Sequence, residues 1–205
     1  GKVRLVVHIN GVAILCNNGK AFFDVTVVEG ATIHLPADRA CPVAAFEGLI
    51  HRIGPNSRQV KAFMSSKGKP STSCPERLIQ GPHHDNSPNF TDDKANSSMG
   101  VEFVSHKVTP SGYSIRNDTT ENEEMRSWDF QASNDGKIWT TLKQHKQDES
   151  LRGAFAVASF AIDAANDERQ AYCFFRILMT GSNRRGLSHC LMCSGLEIFG
   201  SYIMF

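Results

Sequence analysis

Short runs of alternating apolar and polar residues dominate the chain, and they stop at turn residues instead of continuing at helical spacing. Lys2 to Ile9 puts Val3, Leu5, Val7 and Ile9 on one face, and Asn10-Gly11 separates this run from Val12–Leu15. Asn-Gly between apolar runs predicts a tight hairpin, because both central residues of that turn need positive φ. Phe22–Val28 and Thr32–Leu35 read as further strands, with turns at Asn17-Asn18-Gly19 and Glu29-Gly30. Residues 36–57 carry three prolines and read as a connector, with one helical turn near Ala44–Ile50. After a strand at Val60–Met64, residues 65–98 are rich in Ser, Lys, Pro, Asn and Asp. They read as a long loop, partly disordered.

From Val101 the alternation tightens. Strands are expected at Val101–Val104, Gly112–Arg116, Ser127–Ala132, Ile138–Leu142, Ala154–Ile162, Tyr172–Met179 and Cys190–Phe199. Asn134-Asp135-Gly136 joins two of them as a hairpin turn, and the helical stretches Lys143–Leu151 and Asp163–Arg169 are short. Strands at intervals of about 8–12 residues predict an all-β fold, an antiparallel β-sandwich.

Composition narrows the function classes. The 205 residues hold 22 Lys+Arg against 21 Asp+Glu, so the formal net charge is +1. A binder that works by neutralising phosphates needs a basic excess, so nucleic acid is not an expected partner. With 40% hydrophobic and 21% charged residues the chain is a folded globular type, and no apolar run is long enough for a membrane helix. Thirteen Phe against three Tyr and two Trp point to a core built from Phe. The six cysteines form no dense disulfide framework, so a reduced, cytoplasmic protein is expected; sequons at Asn89, Asn96 and Asn117 pull weakly the other way. Length suits one large domain, with residues 1–57 as an N-terminal β extension and 58–205 as the sandwich.

Few constellations carry chemistry. Cys190-Leu191-Met192-Cys193 lacks a second ligand pair and lies in a strand-like run, where the two thiols point to opposite faces; core packing is the reading. His83-His84-Asp85 with Asp92 and Asp93 forms a polar cluster read as a solvated loop. Arg184-Arg185, in a turn that lacks phosphate-loop spacing, could grip an anionic group in bidentate fashion. No nucleophile elbow or metal motif appears, so no enzyme activity and no cofactor are expected.

A more specific pattern lies in the second half. Ser127-Trp128-Asp129-Phe130-Gln131-Ala132-Ser133-Asn134-Asp135-Gly136, followed by Trp139, resembles the strand–turn–strand signature of coagulation-factor type C, or discoidin-like, domains. Tyr172 to Ile177, Thr180-Gly181-Ser182-Asn183 and Ser194 to Gly200 resemble three later motifs of that family, in order. Pro110-Ser111-Gly112-Tyr113-Ser114-Ile115-Arg116, and Leu142 to Leu151 with His145 and Asp148, are most similar to the intracellular branch found beside HECT ubiquitin-ligase and BTB modules. The resemblance implies a jelly-roll, galactose-binding-like sandwich that recognises partners through loops at one end. With the turns at strand ends, that habit points to loops near 83–93, 117–124, 133–137 and 181–188, and so to Asp92, Asp93, Glu123, Glu124, Asn134, Asp135, Asn183, Arg184 and Arg185 as candidate contacts. The partner expected is a protein or peptide within a larger intracellular, ubiquitin-ligase-related assembly, and the acidic stretch 117–124 suggests that it is basic. A carbohydrate partner is the alternative. Some relatives hold a structural calcium, for which Asp85-Asn86, Thr91 and Glu197 are the matching residues, but that site is disfavoured here, as is a membrane partner.

Overall fold

The computed structural model describes residues 6–9, 12–15, 32–35, 44–54, 57–69, 73–81, 87–119, 121–162 and 170–204. The strands are β1 (Val6–Ile9), β2 (Val12–Leu15), β3 (Thr32–Leu35), β4 (Val60–Met64), β5 (Ser98–Phe103), β6 (His106–Arg116), β7 (Trp128–Ser133), β8 (Thr140–His145), β9 (Val157–Ala161), β10 (Phe174–Met179) and β11 (Gly195–Met204). A short helix, α1 (Leu49–Ile53), follows a 3-10 turn at Ala44–Phe46, and a second 3-10 turn spans Pro75–Ile79. Two antiparallel sheets result, ordered β2-β1-β3-β11-β6-β9 and β4-β5-β10-β7-β8. Ile9 pairs with Val12, as a two-residue connection requires, although Asn10-Gly11 itself lies outside the described residues. So do the expected strand Phe22–Val28, the stretch Asp163–Arg169 and His83-His84-Asp85.

The inner faces meet in one apolar core. Trp128, Phe130 and Ala132 of β7 and Phe175, Ile177 and Met179 of β10 share it with Tyr113 and Ile115 of β6 and Leu196 and Ile198 of β11. Each such Phe or Leu removed from water contributes about 2 kcal/mol, so the alternation in these strands is what drives the two sheets together. Leu49 and Ile50 of α1 join the same core with Leu78 and Ile79. The stretch 65–98 is therefore anchored in its described parts, where partial disorder was expected: Asn89 and Thr91 in it are also fully buried. Side-chain hydrogen bonds satisfy its irregular backbone, which composition alone does not reveal.

Most strand limits shift by a few residues from expectation, and three of the shifts have local reasons. β6 starts at His106 and passes through Pro110, which sits at a register shift opposite Gly200, and bulges admit proline. Gly200 has φ 150°, and a Cβ there would strike the Thr109 carbonyl. The expected helix Lys143–Leu151 does not form. β8 runs to His145, and the three-residue spacing to Asp148 instead serves a hydrogen bond across a turn (His145 Nδ1 to Asp148 Oδ2, 2.7 Å). The last strand begins at Gly195, so Cys190 and Cys193 lie in the connection before it.

That histidine ends a buried polar chain inside the core. Trp128 Nε1 donates to the Tyr113 hydroxyl (3.2 Å), which lies 2.7 Å from His145 Nε2. The pattern fits a neutral imidazole whose Nδ1 proton goes to Asp148. Burial pushes the His145 pKa down against the opposing pull of Asp148. Trp128 stacks on the His145 ring at 4.1 Å and Tyr113 on Phe130 at 3.9 Å. Tyr113→Phe strands both the Trp128 N–H and His145 Nε2, so a loss of about 2 kcal/mol is expected. Thermal melting would show it as a fall of roughly 4–8 °C; an unchanged melt would mean that the hydroxyl is idle.

Candidate functional site

Antiparallel strands give the sandwich two loop ends. The described parts of the connections 65–97, 117–127, 146–156 and 180–194 meet at one, and 104–105, 134–139 and the described residues 162 and 170–173 lie at the other. The first end is knit together by side chains. Asp118, fully buried, accepts the Asn89 amide N–H through Oδ2 and the Thr119 N–H through Oδ1, both at 2.6 Å. Asn89 accepts the Cys74 N–H at 3.1 Å and donates to the Cys193 carbonyl at 2.9 Å. Thr91 Oγ1 accepts the Leu191 N–H at 3.0 Å. Asn117 donates to the Gly153 carbonyl (2.7 Å), and its own carbonyl accepts the Ser194 hydroxyl (2.6 Å). Burial pushes the Asp118 pKa up against the two amides that hold its charge.

Beside this network lies Arg116, only 7% exposed. Its Nη1 donates to Ser194 Oγ at 3.0 Å and its guanidinium lies 4.2 Å from the centre of the Phe155 ring. Phe155 holds that position with φ 57°, a left-handed backbone unusual for an aromatic residue.

Most of the expected site residues converge on this end as a rim of paired charges. Arg184 Nη1 lies 3.4 Å from Glu124 Oε1, and Arg185 Nη1 3.1 Å from Glu123 Oε1. Asp93 accepts the His189 N–H at 2.7 Å, and Asp92 pairs with Lys94 at 3.4 Å. Asn183 is buried and fixes the turn, its N–H reaching the Ser188 carbonyl at 2.7 Å and its carbonyl accepting the Gly186 N–H at 2.8 Å. At the tip of that turn Leu187 is 81% exposed. The two arginines thus already face carboxylates, Asp118 is turned inward, and of the four acidic residues in 117–124 Glu121 is the exposed one.

Asn134 and Asp135 do not join them. They occupy the opposite end, where Asp135 Oδ1 accepts the Lys137 and Ile138 N–H groups at 2.8 Å each, and Asn134 donates to the Ala171 carbonyl at 3.2 Å. Those amides hold the Asp135 carboxyl below its usual range. A single binding surface cannot include all nine residues.

Other expected features resolve simply. Cys193 is buried, with its thiol pushed up to about 12 by burial, and Cys190 donates to the Thr91 carbonyl at 2.9 Å, so both serve packing. Cys74, Cys173, Cys190 and Cys193 are free, while Cys16 and Cys41 lie outside the described residues. Of the three sequon asparagines, Asn89 and Asn117 are buried and Asn96 is exposed. Among the described residues no three His, Cys, Asp or Glu side chains cluster to hold a metal. Glu197, the residue matched to the calcium site, spends both oxygens on backbone N–H groups: Ile50 and Ile198 on Oε1 at 2.7 and 2.9 Å, His51 on Oε2 at 3.1 Å. No helix of the described residues is long and apolar enough to cross a membrane.

Solved structures share this architecture. CpGH89CBM32-5 from Clostridium perfringens, in complex with GalNAc-β-1,3-galactose, aligns at TM-score 0.53 and 11% identity over 69% of this chain and 95% of that one. A fucolectin from striped bass (Morone saxatilis) serum aligns at TM-score 0.54 and 16% identity, over 69% and 47%. The fold is discoidin-like, of the galactose-binding type. No family model matches the chain. By sequence this discoidin-like chain is similar to the E3 ubiquitin-protein ligase Ufd4 of Drosophila melanogaster, with 35% identity over 97 residues. It is also similar to the E3 ubiquitin-protein ligase hecd-1 of Caenorhabditis elegans, with 29% identity over 169 residues, and to a BTB/POZ domain-containing protein of Arabidopsis thaliana, with 38% over 76. These matches cover 47%, 76% and 37% of this chain but only 4%, 6% and 9% of the relatives' own lengths.

Proposed function

We propose that the chain is a non-catalytic recognition module that binds a protein or peptide through the loop end carrying Asp93, Glu123, Arg185 and Leu187. It works inside a larger, ubiquitin-ligase-related assembly in the cytoplasm, with residues 1–57 as part of the same domain. The observation that carries the reading is the hydrogen bonding of that end: the described parts of four connections, joined through Asp118, Asn89, Thr91, Asn117 and Ser194, present a fixed charged rim with one bare leucine. Fixed loops lose little conformational entropy on binding, which favours recognition of a defined surface. The likeness to two ubiquitin ligases and a BTB protein supports the larger assembly.

Affinity capture on the immobilised chain, followed by titration of the captured protein in purified form, tests it. Leu187→Ser combined with Arg185→Ala is expected to weaken binding roughly tenfold or more with an unchanged melt, while Asn134→Ala, at the opposite end, has no effect. Binding that ignores the first variant sinks the reading. A carbohydrate ligand is the second reading, favoured by the Phe155 ring over Arg116 at this same end and by the sugar-bound neighbour. A glycan array decides it, since capture only of glycoprotein released by free sugar would replace the first reading with the second.

A further inference from the structure

Far from that rim, the outer face of the β4-β5-β10-β7-β8 sheet carries a cluster that neither the loop end nor the core uses. Arg176 projects from β10 and lays its guanidinium on the Trp139 ring, 4.0 Å from its centre. The Phe63 ring sits 6.3 Å from Trp139 on the other flank. Gly100 forms the floor between them, where a Cβ would strike Phe63 and Arg176. Gln131 Oε1 accepts the Arg176 Nε proton at 2.8 Å, and among the described residues neither Nη has an acceptor. Burial pulls the Arg176 pKa down, so this charge has already lost part of its water. Next to Trp139, Ile138 is 78% exposed on a turn fixed by the two Asp135 hydrogen bonds.

The geometry points to a second docking surface here, for an acidic peptide segment carrying an apolar anchor. Half-exposed Trp and Arg are the side chains most enriched at binding hot spots. The guanidinium fork is planar, partly desolvated and open at both Nη atoms, which suits a carboxylate taken in bidentate fashion. Lys61 lies on the face with Glu102 as its cross-strand neighbour, exposed Lys137 stands in the adjoining turn, the Asp135 carboxylate is spent inside its own turn, and Asp129 faces Gln131 and Thr141. At the aromatic centre Arg176 is therefore a cation that no carboxylate of the described residues meets. Ile138 and the rings supply the apolar contact, and Arg176 the charge.

A display library of random short peptides panned on the chain provides the probe. Enriched sequences are expected to carry Asp or Glu beside Leu, Ile or Phe, and a synthetic copy should shift tryptophan emission, since Trp139 is the half-exposed tryptophan and Trp128 is fully buried. Ile138→Ser and Arg176→Lys should each weaken binding roughly tenfold, with affinity falling as salt rises, while Leu187→Ser at the far loop end changes nothing. An unchanged melt for Ile138→Ser separates lost contact from lost folding. No enrichment, enrichment of neutral or basic peptides, or equal affinity in the variants overturns the proposal. Self-association in sedimentation velocity that Ile138→Ser abolishes also overturns it, by giving the face to a second copy. Failure here leaves the loop-end reading standing, because Leu187 and Arg185 are tested separately.

Discussion

Asp118→Ala is expected to destabilise the fold by about 3–5 kcal/mol, the range for removing one partner from a buried charged network. Two amide donors depend on this carboxylate, those of Asn89 and Thr119, at 2.6 Å each. Removing it leaves the fully buried Asn89 N–H without its acceptor, and an orphaned buried donor costs more than the bond itself contributed. Arg116 loses its nearest countercharge at the same time and stays buried. Damage should be local before it is global, because Asn89 also carries the Cys74 and Cys193 backbone contacts. Urea denaturation gives the total loss. Hydrogen exchange at Asn89, Thr91 and Cys193, faster than at Phe130 or Ile177 in the core strands, shows where the loop end opens first. Uniform protection with a loss below about 1 kcal/mol would show that the network is ornamental.

How much of this was legible depends on sequence distance. Trp128, Phe130 and the Asn-Asp-Gly turn announce a hairpin locally, and it forms as read. The Asp118–Asn89 bond spans 29 residues and the Arg116–Ser194 bond 78, and no periodicity links such partners. Trp139 falls within the expected strand Ile138–Leu142 but precedes β8, so the strand parity does not reach it and it is half-exposed. The grouping of Asn134 and Asp135 with the other site residues failed for a reason the sequence did contain. Loops that precede and follow one strand lie at opposite ends, and 117–124 and 133–137 flank the same strand. Counting strands would have separated them. The pairing of Arg184 and Arg185 with Glu124 and Glu123, about sixty positions away, had no such signal.

Glu197→Gln is expected to change the pH dependence of stability, not only its level. Burial pushes the Glu197 carboxyl from 4.5 up to about 7, against the backbone N–H groups of Ile198, Ile50 and His51. A raised folded pKa means that the folded state keeps its proton where the unfolded chain has lost it. The stability this gives is complete below about pH 4.5 and disappears as pH rises to about 7. At about 1.4 kcal/mol per unit, the shift is worth about 3 kcal/mol. Glutamine cannot titrate, so the stability of the wild type relative to the variant should shrink by about that amount between pH 4.5 and 8. His145 moves the other way, since burial keeps its imidazole neutral and its contribution is lost as pH falls below 6.5. Both proteins share that histidine, so it cancels in the difference. At every pH the variant also sets an amide NH₂ against one of the N–H groups now facing a carboxyl oxygen, which adds a constant loss of about 1–3 kcal/mol. Chemical denaturation of the pair across this range measures both parts. A difference that stays flat from pH 4.5 to 8 would mean that Glu197 is ionised throughout in the folded state, its charge held by the amides of α1 and β11 in spite of burial.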